Sequence, residues 1–109
     1  MSGKFALFAG GDGETYFNLK AGNGEIILKS EGYKDKAGAH RGIESVRKHA
    51  VDAARCEKKR AANGKFRFNL EAANHQGIGS SEMYESERSR DAGIASVMTT
   101  APDARFIEG

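Results

Sequence analysis

The chain has no tryptophan, one cysteine and one proline, and its 17 Lys and Arg against 15 Asp and Glu leave a net charge of only +2. Each scarcity removes a class of protein. A lone Cys56 can neither close an intramolecular disulfide nor pair with a second thiolate around a metal or in a redox motif, so a stapled secreted scaffold is excluded. No stretch approaches the roughly 20 apolar residues needed to span a bilayer. Met1-Ser2-Gly3-Lys4 does not open a basic region followed by an apolar leader, so a soluble, cytoplasmic protein without membrane contact is expected. The charges alternate in sign along the chain, which gives no electrostatic footprint for DNA or a membrane surface. At 109 residues there is room for one modest core, and a single domain is expected.

What the chain does have is a repeat. Residues 16–57 align without a gap on residues 67–108, and 17 of the 42 aligned positions are identical. Unrelated segments of ordinary composition would share roughly three. Phe17-Asn18-Leu19 matches Phe68-Asn69-Leu70, Ser30-Glu31 matches Ser81-Glu82, and Gly42-Ile43 matches Gly93-Ile94. A duplicated unit of this length implies that each copy covers apolar surface on the other.

Within one unit the hydrophobic period predicts three strands and a helix. Residues 4–9 read as a strand, and Asp12-Gly13, with Asn63-Gly64 at the same offset, marks a hairpin. Over about 15–21, Phe17, Leu19 and Ala21 fall on one face and Tyr16, Asn18 and Lys20 on the other. Asn23-Gly24 turns the chain into a third strand at about 25–30. The period then lengthens: Ala39, Ile43, Val46 and Ala50 form one stripe, repeated by Ile94, Val97 and Ala101. Helices over 36–49 and 87–100 follow, with Asp35 and Ser86 as N-caps and Pro102 ending the second. Gly42 and Gly93 sit inside them, which implies close packing against the sheet or the other helix. Ala54-Arg55-Cys56-Glu57 begins the second copy's first strand and aligns with an extended tail at Arg105-Phe106-Ile107-Glu108. The expected fold is α+β: two tandem βββα repeats, about 1–52 and 53–109, sharing one antiparallel sheet with both helices packed on one face.

The run Gly22-Asn23-Gly24-Glu25-Ile26-Ile27-Leu28-Lys29-Ser30-Glu31-Gly32-Tyr33, followed by Lys36-Ala37-Gly38-Ala39 and Gly42-Ile43-Glu44-Ser45-Val46, resembles the YegP family of small bacterial proteins. The second half repeats the pattern in Ser81-Glu82-Met83-Tyr84 and Gly93-Ile94-Ala95-Ser96-Val97. The resemblance implies helices exchanged between the halves of a monomeric tandem protein. It implies no activity, catalytic residue or ligand. Copy two departs from the pattern at Asn74-His75, where Asn-Gly is usual, and at Gly77 and Gly79, which replace Ile26 and Leu28. A weaker third strand is expected there.

Few residues suggest chemistry. His40, His49 and His75 share no spacing that would gather a metal, Cys56 reads as a small core residue, and Gly10-Gly11-Asp12-Gly13 lacks the following Lys-Ser/Thr of a phosphate loop. No cofactor, metal or catalytic constellation is expected. Asn18 and Asn69 are expected to lie near one another on the open face of the sheet, with Tyr16, Lys20, Arg67 and Glu71 beside them. Lys58-Lys59-Arg60 is the densest run of charge, to which Arg88 and Arg90 can add. These residues make up the candidate interaction surface: Tyr16, Asn18, Lys20, Lys58, Lys59, Arg60, Arg67 and Asn69. They suit a non-catalytic module that meets a protein or, as the alternative, a single-stranded nucleic acid. A second alternative is a small enzyme or ligand carrier with its site at the seam, where Glu31 and Glu82, or Tyr33 and Tyr84, could converge.

Overall fold

The computed structural model describes residues 3–72 and 77–108; the turn expected at Asn74-His75, and His75 itself, lie outside them. The elements in order are β1 (Lys4–Ala9), β2 (Thr15–Lys20), β3 (Ile26–Ser30), α1 (Lys36–His49), β4 (Cys56–Arg60), β5 (Phe66–Glu71), β6 (Gly77–Ser80), α2 (Glu87–Thr100) and β7 (Arg105–Glu108). Both helices run over the expected residues. Asp35 accepts from Gly38 N at 2.8 Å and Ser86 from Ser89 N at 3.1 Å, so each cap satisfies one orphan amide of its helix. The strand of copy two begins later than expected, because a short 3-10 turn (Ala53–Arg55) occupies its first positions.

Three hairpin turns share one construction. Gly13, Gly24 and Gly64 have φ of 86°, 88° and 85°, and each donates back to the residue three before it, Gly10, Ala21 and Ala61. Asp12, Asn23 and Asn63 each accept from the amide two residues on at 3.0 Å. Each is a tight turn closed by a left-handed glycine, in a three-residue loop rather than the two-residue primed turn.

All seven strands join one sheet in the order β4-β5-β6-β3-β2-β1-β7. The halves meet where β3 pairs antiparallel with β6, Lys29 opposite Ser80 and Ser30 opposite Gly79. The sheet is not wholly antiparallel, as the sequence had suggested. β7 leaves α2 and lies parallel to β1, with Phe5 beside Phe106. A strand entering after a helix that crosses the sheet arrives in the same direction as its neighbour, which a meander cannot produce. The tail of copy two therefore closes the edge of copy one.

Phe5, Leu7, Phe17, Leu19, Leu28, Phe68 and Leu70 face the helices, which bring Ile43, Val46, Ile94 and Val97 onto them. α1 rests on β2 and reaches β5 and β6, while α2 rests on β5 and reaches β3, so each helix covers both halves. Gly42 and Gly93 pack closely as expected, but what they meet first is a tyrosine ring from the strand-to-helix corner, joined at Gly42 by Phe17 of β2. Tyr33 stacks on Phe17 (6.1 Å) and Tyr84 on Phe68 (6.4 Å), and their rings end against Gly42 and Gly93, where a methyl group would overlap them.

The third strand of copy two ends one position earlier than its counterpart, at Ser80, whereas β3 runs to Ser30, the match of Ser81. Gly79 stands where the fold has no space, since an added Cβ would lie 2.7 Å from the Lys29 carbonyl and 3.1 Å from Leu28 Cγ. Near the pseudo-two-fold axis, Leu28 occupies the space that a side chain on Gly79 would need. The glycine is complementary to its twin and is no sign of decay.

Candidate functional site

Both helices pack on the Phe/Leu face, and among the described residues no element covers the other. Pairing registers place one residue from each strand in a row across that open face: Ile107, Ala6, Asn18, Lys29, Ser80, Asn69 and Glu57. Asn18 and Asn69 thus share a row but are not neighbours. Two strands separate theirs, so they stand about 14 Å apart at three strand spacings. Lys29 lies between them and pairs with Glu82 at 3.2 Å.

The two repeats give this face unlike corners. In copy one Phe8, 38% exposed, stacks on Tyr16 with centroids 5.7 Å apart and rings 18° from parallel. The Tyr16 hydroxyl donates to the Asp12 carboxylate; that bond lowers the Asp12 pKa and raises that of Tyr16. At the matching places copy two has Lys59 directly opposite Arg67. Like charges there would repel, but Glu57 takes Lys59 at 3.1 Å and Asn69 accepts from Arg67 at 3.2 Å. Lys20 faces Lys4 across β1 and β2. Phe8 was missed in the sequence, although its parity, opposite to Phe5 and Leu7 on one strand, was there to be read.

Strand alternation also divides the run at 58–60. Lys59 points to the open face, whereas Lys58 and Arg60 share the side of Phe68 and Phe66. Lys58 meets Asp91 of α2 at 3.4 Å, and Arg60 lies 5.4 Å over the Phe66 ring. Burial acts to raise the Asp91 pKa, but hydrogen bonds from Arg90 and Lys58 outweigh it and hold the carboxyl below its ordinary value. Arg90 is only 7% exposed and lies over Phe66 at 5.6 Å, so it packs in the protein instead of adding to a surface cluster.

The groups that could carry chemistry are occupied structurally. Cys56 is buried, and burial, reinforced by Asp52, pushes its thiol up to about 11. At neutral pH it stays protonated, a poor nucleophile. His40 lies against the Phe106 ring at 4.5 Å, and His49 Nδ1 stands 2.9 Å from the Ser45 carbonyl. The serines of the Ser-Glu-x-Tyr corners tie each turn: Ser30 and Ser81 accept from Phe17 N and Phe68 N at 2.9 Å. The tyrosines do not converge at the seam. Tyr33 pairs with Thr15 beside β2 and Tyr84 with Phe66 at β5, strands that lie three spacings apart, or about 14 Å. Glu82 turns to Lys29, while the Glu31 carboxylate lines a cavity beside α1. No helix among the described residues is long and apolar enough to cross a membrane.

Two βββα units that share one sheet, each helix covering both, define a class of tandem-repeat α+β proteins. The model of the domain of unknown function DUF1508 matches residues 11–57 and again 61–108. A UPF0339 protein from the ptx operon 5' region of Stutzerimonas stutzeri is 55% identical over 108 residues, covering 99% of this chain and 97% of that protein. The UPF0339 protein YegP of Escherichia coli K12 is 57% identical over 97 residues, 89% of this chain and 88% of that one. The solution NMR structure of E. coli yegP superposes with a TM-score of 0.94 at 50% identity, covering 100% of this chain and 94% of that one. The UPF0339 protein of Shewanella oneidensis gives 0.91 at 48% identity, over 99% and 92% of the two chains. The chain belongs to the UPF0339 (YegP) family of tandem DUF1508 proteins, a family of unknown function.

Proposed function

We propose that this protein is a non-catalytic interaction module whose open sheet face receives a protein partner. The observation that carries the reading is the row from Ile107 to Glu57, in which five adjacent hydrogen-bonded strands place the polar side chains Asn18, Lys29, Ser80, Asn69 and Glu57 on one uncovered surface. Strands hold such groups in fixed positions, so little ordering entropy opposes association. Charge of both signs, with Glu57, Lys59, Arg67 and Glu71 near one end, Lys29 at the middle and Lys20 and Lys4 towards the other end, suits a polypeptide better than a uniformly anionic polymer.

Capture of partners from the native host by the full-length protein tests this. Combined alanine substitution of Asn18, Asn69, Arg67 and Lys59 is expected to abolish recovery of a protein partner while leaving thermal stability nearly unchanged. Identical recovery by the variant overturns the reading. A second reading, single-stranded nucleic acid, is favoured by the exposed Phe8–Tyr16 stack, because bases stack on such rings without regard to sequence. It predicts nuclease-sensitive recovery that falls between about 0.05 and 0.2 M salt and disappears in Phe8→Ala.

A further inference from the structure

The repeats agree where they build the core and differ along one flank of α1. Tyr33, Gly42, Ser45 and Val46 recur as Tyr84, Gly93, Ser96 and Val97. By contrast Gly32, Gly38, Arg41 and Gly77 correspond to Met83, Ser89, Ala92 and Ile26. Of these, Gly32, Gly38 and Arg41 of copy one and Gly77 of copy two line a single cavity of about 690 Å³ beside α1. It lies between the Glu31–Tyr33 connection, the face of α1 that carries Arg41 and Ser45, and the end of β6 at Gly77 and Ile78. At the twin position the sequence has three larger side chains and no arginine. Of the three glycines only Gly77 leaves room for the side chain its twin carries, since a Cβ on Gly32 would meet Glu14 Oε1 and one on Gly38 would touch Asp35 and Tyr33. Open space at Gly77 near the Arg41 cation suits a binding site better than core packing. The volume falls within the range of small-molecule sites.

The lining has a definite chemistry. Among the described residues neither Arg41 nor Glu31 makes an ion pair, and the Tyr33 hydroxyl has no hydrogen-bond partner. Burial, then the Glu31 charge, raises the Tyr33 pKa, so the phenol remains a donor at neutral pH. A guanidinium offers a planar fork that matches a carboxylate, and a free carboxylate matches an ammonium. Ala72 and Ile78 supply an apolar wall.

We propose that this cavity binds a zwitterion of the α-amino acid class, up to the size of a dipeptide. The ligand carboxylate meets Arg41 and the Tyr33 hydroxyl, its ammonium meets Glu31, and its side chain lies over Ala72 and Ile78. The site uses both repeats yet exists once, because only copy two has a glycine at the position of Ile26. Its lining includes none of Asn18, Asn69, Arg67 and Lys59, so the two surfaces are tested separately.

The test is titration of the isotopically labelled full-length protein, followed by amide chemical shifts. The probes are L-leucine, the dipeptide Ala-Leu, 4-methylpentanoate (leucine without its amine) and 3-methylbutylamine (leucine without its carboxylate). Saturable shifts confined to the amides around Tyr33, Arg41, Gly42 and Gly77 are expected with L-leucine or Ala-Leu, and which of the two binds tighter fixes the size class. Loss of one charge partner should weaken binding about tenfold or more. Two variants restore the twin's residues, Arg41→Ala and Gly77→Ile, and both should abolish the shifts. A Cβ on Gly77 meets nothing closer than Glu31 Oε2 at 4.0 Å, and Arg41 is exposed, so neither change disturbs the core. The proposal is overturned by no saturable shift with any probe, by equal binding of the singly charged analogues, by shifts that persist in both variants, or by shifts around Tyr84 and Gly93 instead.

Discussion

The hydroxyl end of Tyr33 rests against the bare Cα of Gly42, and the same contact recurs between Tyr84 and Gly93. A tyrosine that leaves the strand-to-helix corner, stacks on a core phenylalanine and ends on a helical glycine fixes the height of the helix above the sheet. The glycine weakens the helix by about 1 kcal/mol relative to alanine, a cost that this packing offsets.

Gly42→Ala should therefore destabilise the protein despite its better helix propensity, by about 1–2 kcal/mol from overpacking against a ring that Phe17 holds in place. Urea unfolding measures it. Tyr33→Phe should recover part of the loss in the double variant, and the cycle should give a coupling energy of at least about 0.5 kcal/mol. Gly42→Ala at or above wild-type stability would contradict the contact.

Gly77 and Gly79 lie two residues apart in β6 and should respond in opposite ways. Gly79→Ala places a methyl 2.7 Å from the Lys29 carbonyl, which is backbone and cannot yield, so a loss of about 1–3 kcal/mol is expected. Gly77→Ala meets only Glu31 Oε2 at 4.0 Å, an ordinary contact, and should be neutral or stabilising by up to about 1 kcal/mol through the unfolded chain. Thermal unfolding of the two single variants decides the matter, and similar shifts in both would contradict the assignment of Gly79 to the crowded axis.

Much of this was legible before any coordinates. The helices fell where the change of period and the caps at Asp35 and Ser86 put them, because local capping and a long apolar stripe agreed. Side-chain parity placed Tyr16, Asn18, Arg67 and Asn69 on the open face for the same reason. What stayed hidden depends on which strand lies beside which. The parallel docking of β7 on β1 joins residues a hundred positions apart, and nothing in Arg105-Phe106-Ile107 specifies that neighbour. Asn18 and Asn69 looked adjacent only because the two strands between them were not yet ordered. The division of Lys58-Lys59-Arg60 between two faces follows from strand parity alone and could have been read. The cavity at Arg41 could not, since it needs the end of β6 to stand beside α1.

Stability should decline in alkali. Cys56, with its thiol pushed up to about 11, and Tyr33 and Tyr84, raised by burial first and by Glu31 and Glu82 after it, all hold their protons more tightly folded than unfolded. Their contribution is whole below the ordinary thiol value of 9.0. It shrinks as pH rises towards 11, because the unfolded chain ionises first. Urea unfolding from about pH 7 to 10.5 should show a plateau and then a fall. Cys56→Ala should flatten the onset of that fall whatever its effect at neutral pH, and an unchanged slope would show that the thiol is not held in its protonated form.

The claim that each half completes the other is tested most directly by the peptide of residues 1–52. It lacks β6 beside β3 and β7 beside β1, and a core of that size alone buries too little apolar surface to offset its ordering entropy. Circular dichroism melts at several concentrations, with sedimentation equilibrium on the same samples, should find it unfolded, or folded only as a self-associated species whose midpoint rises with concentration. A monomer that melts cooperatively at a concentration-independent midpoint would contradict the account.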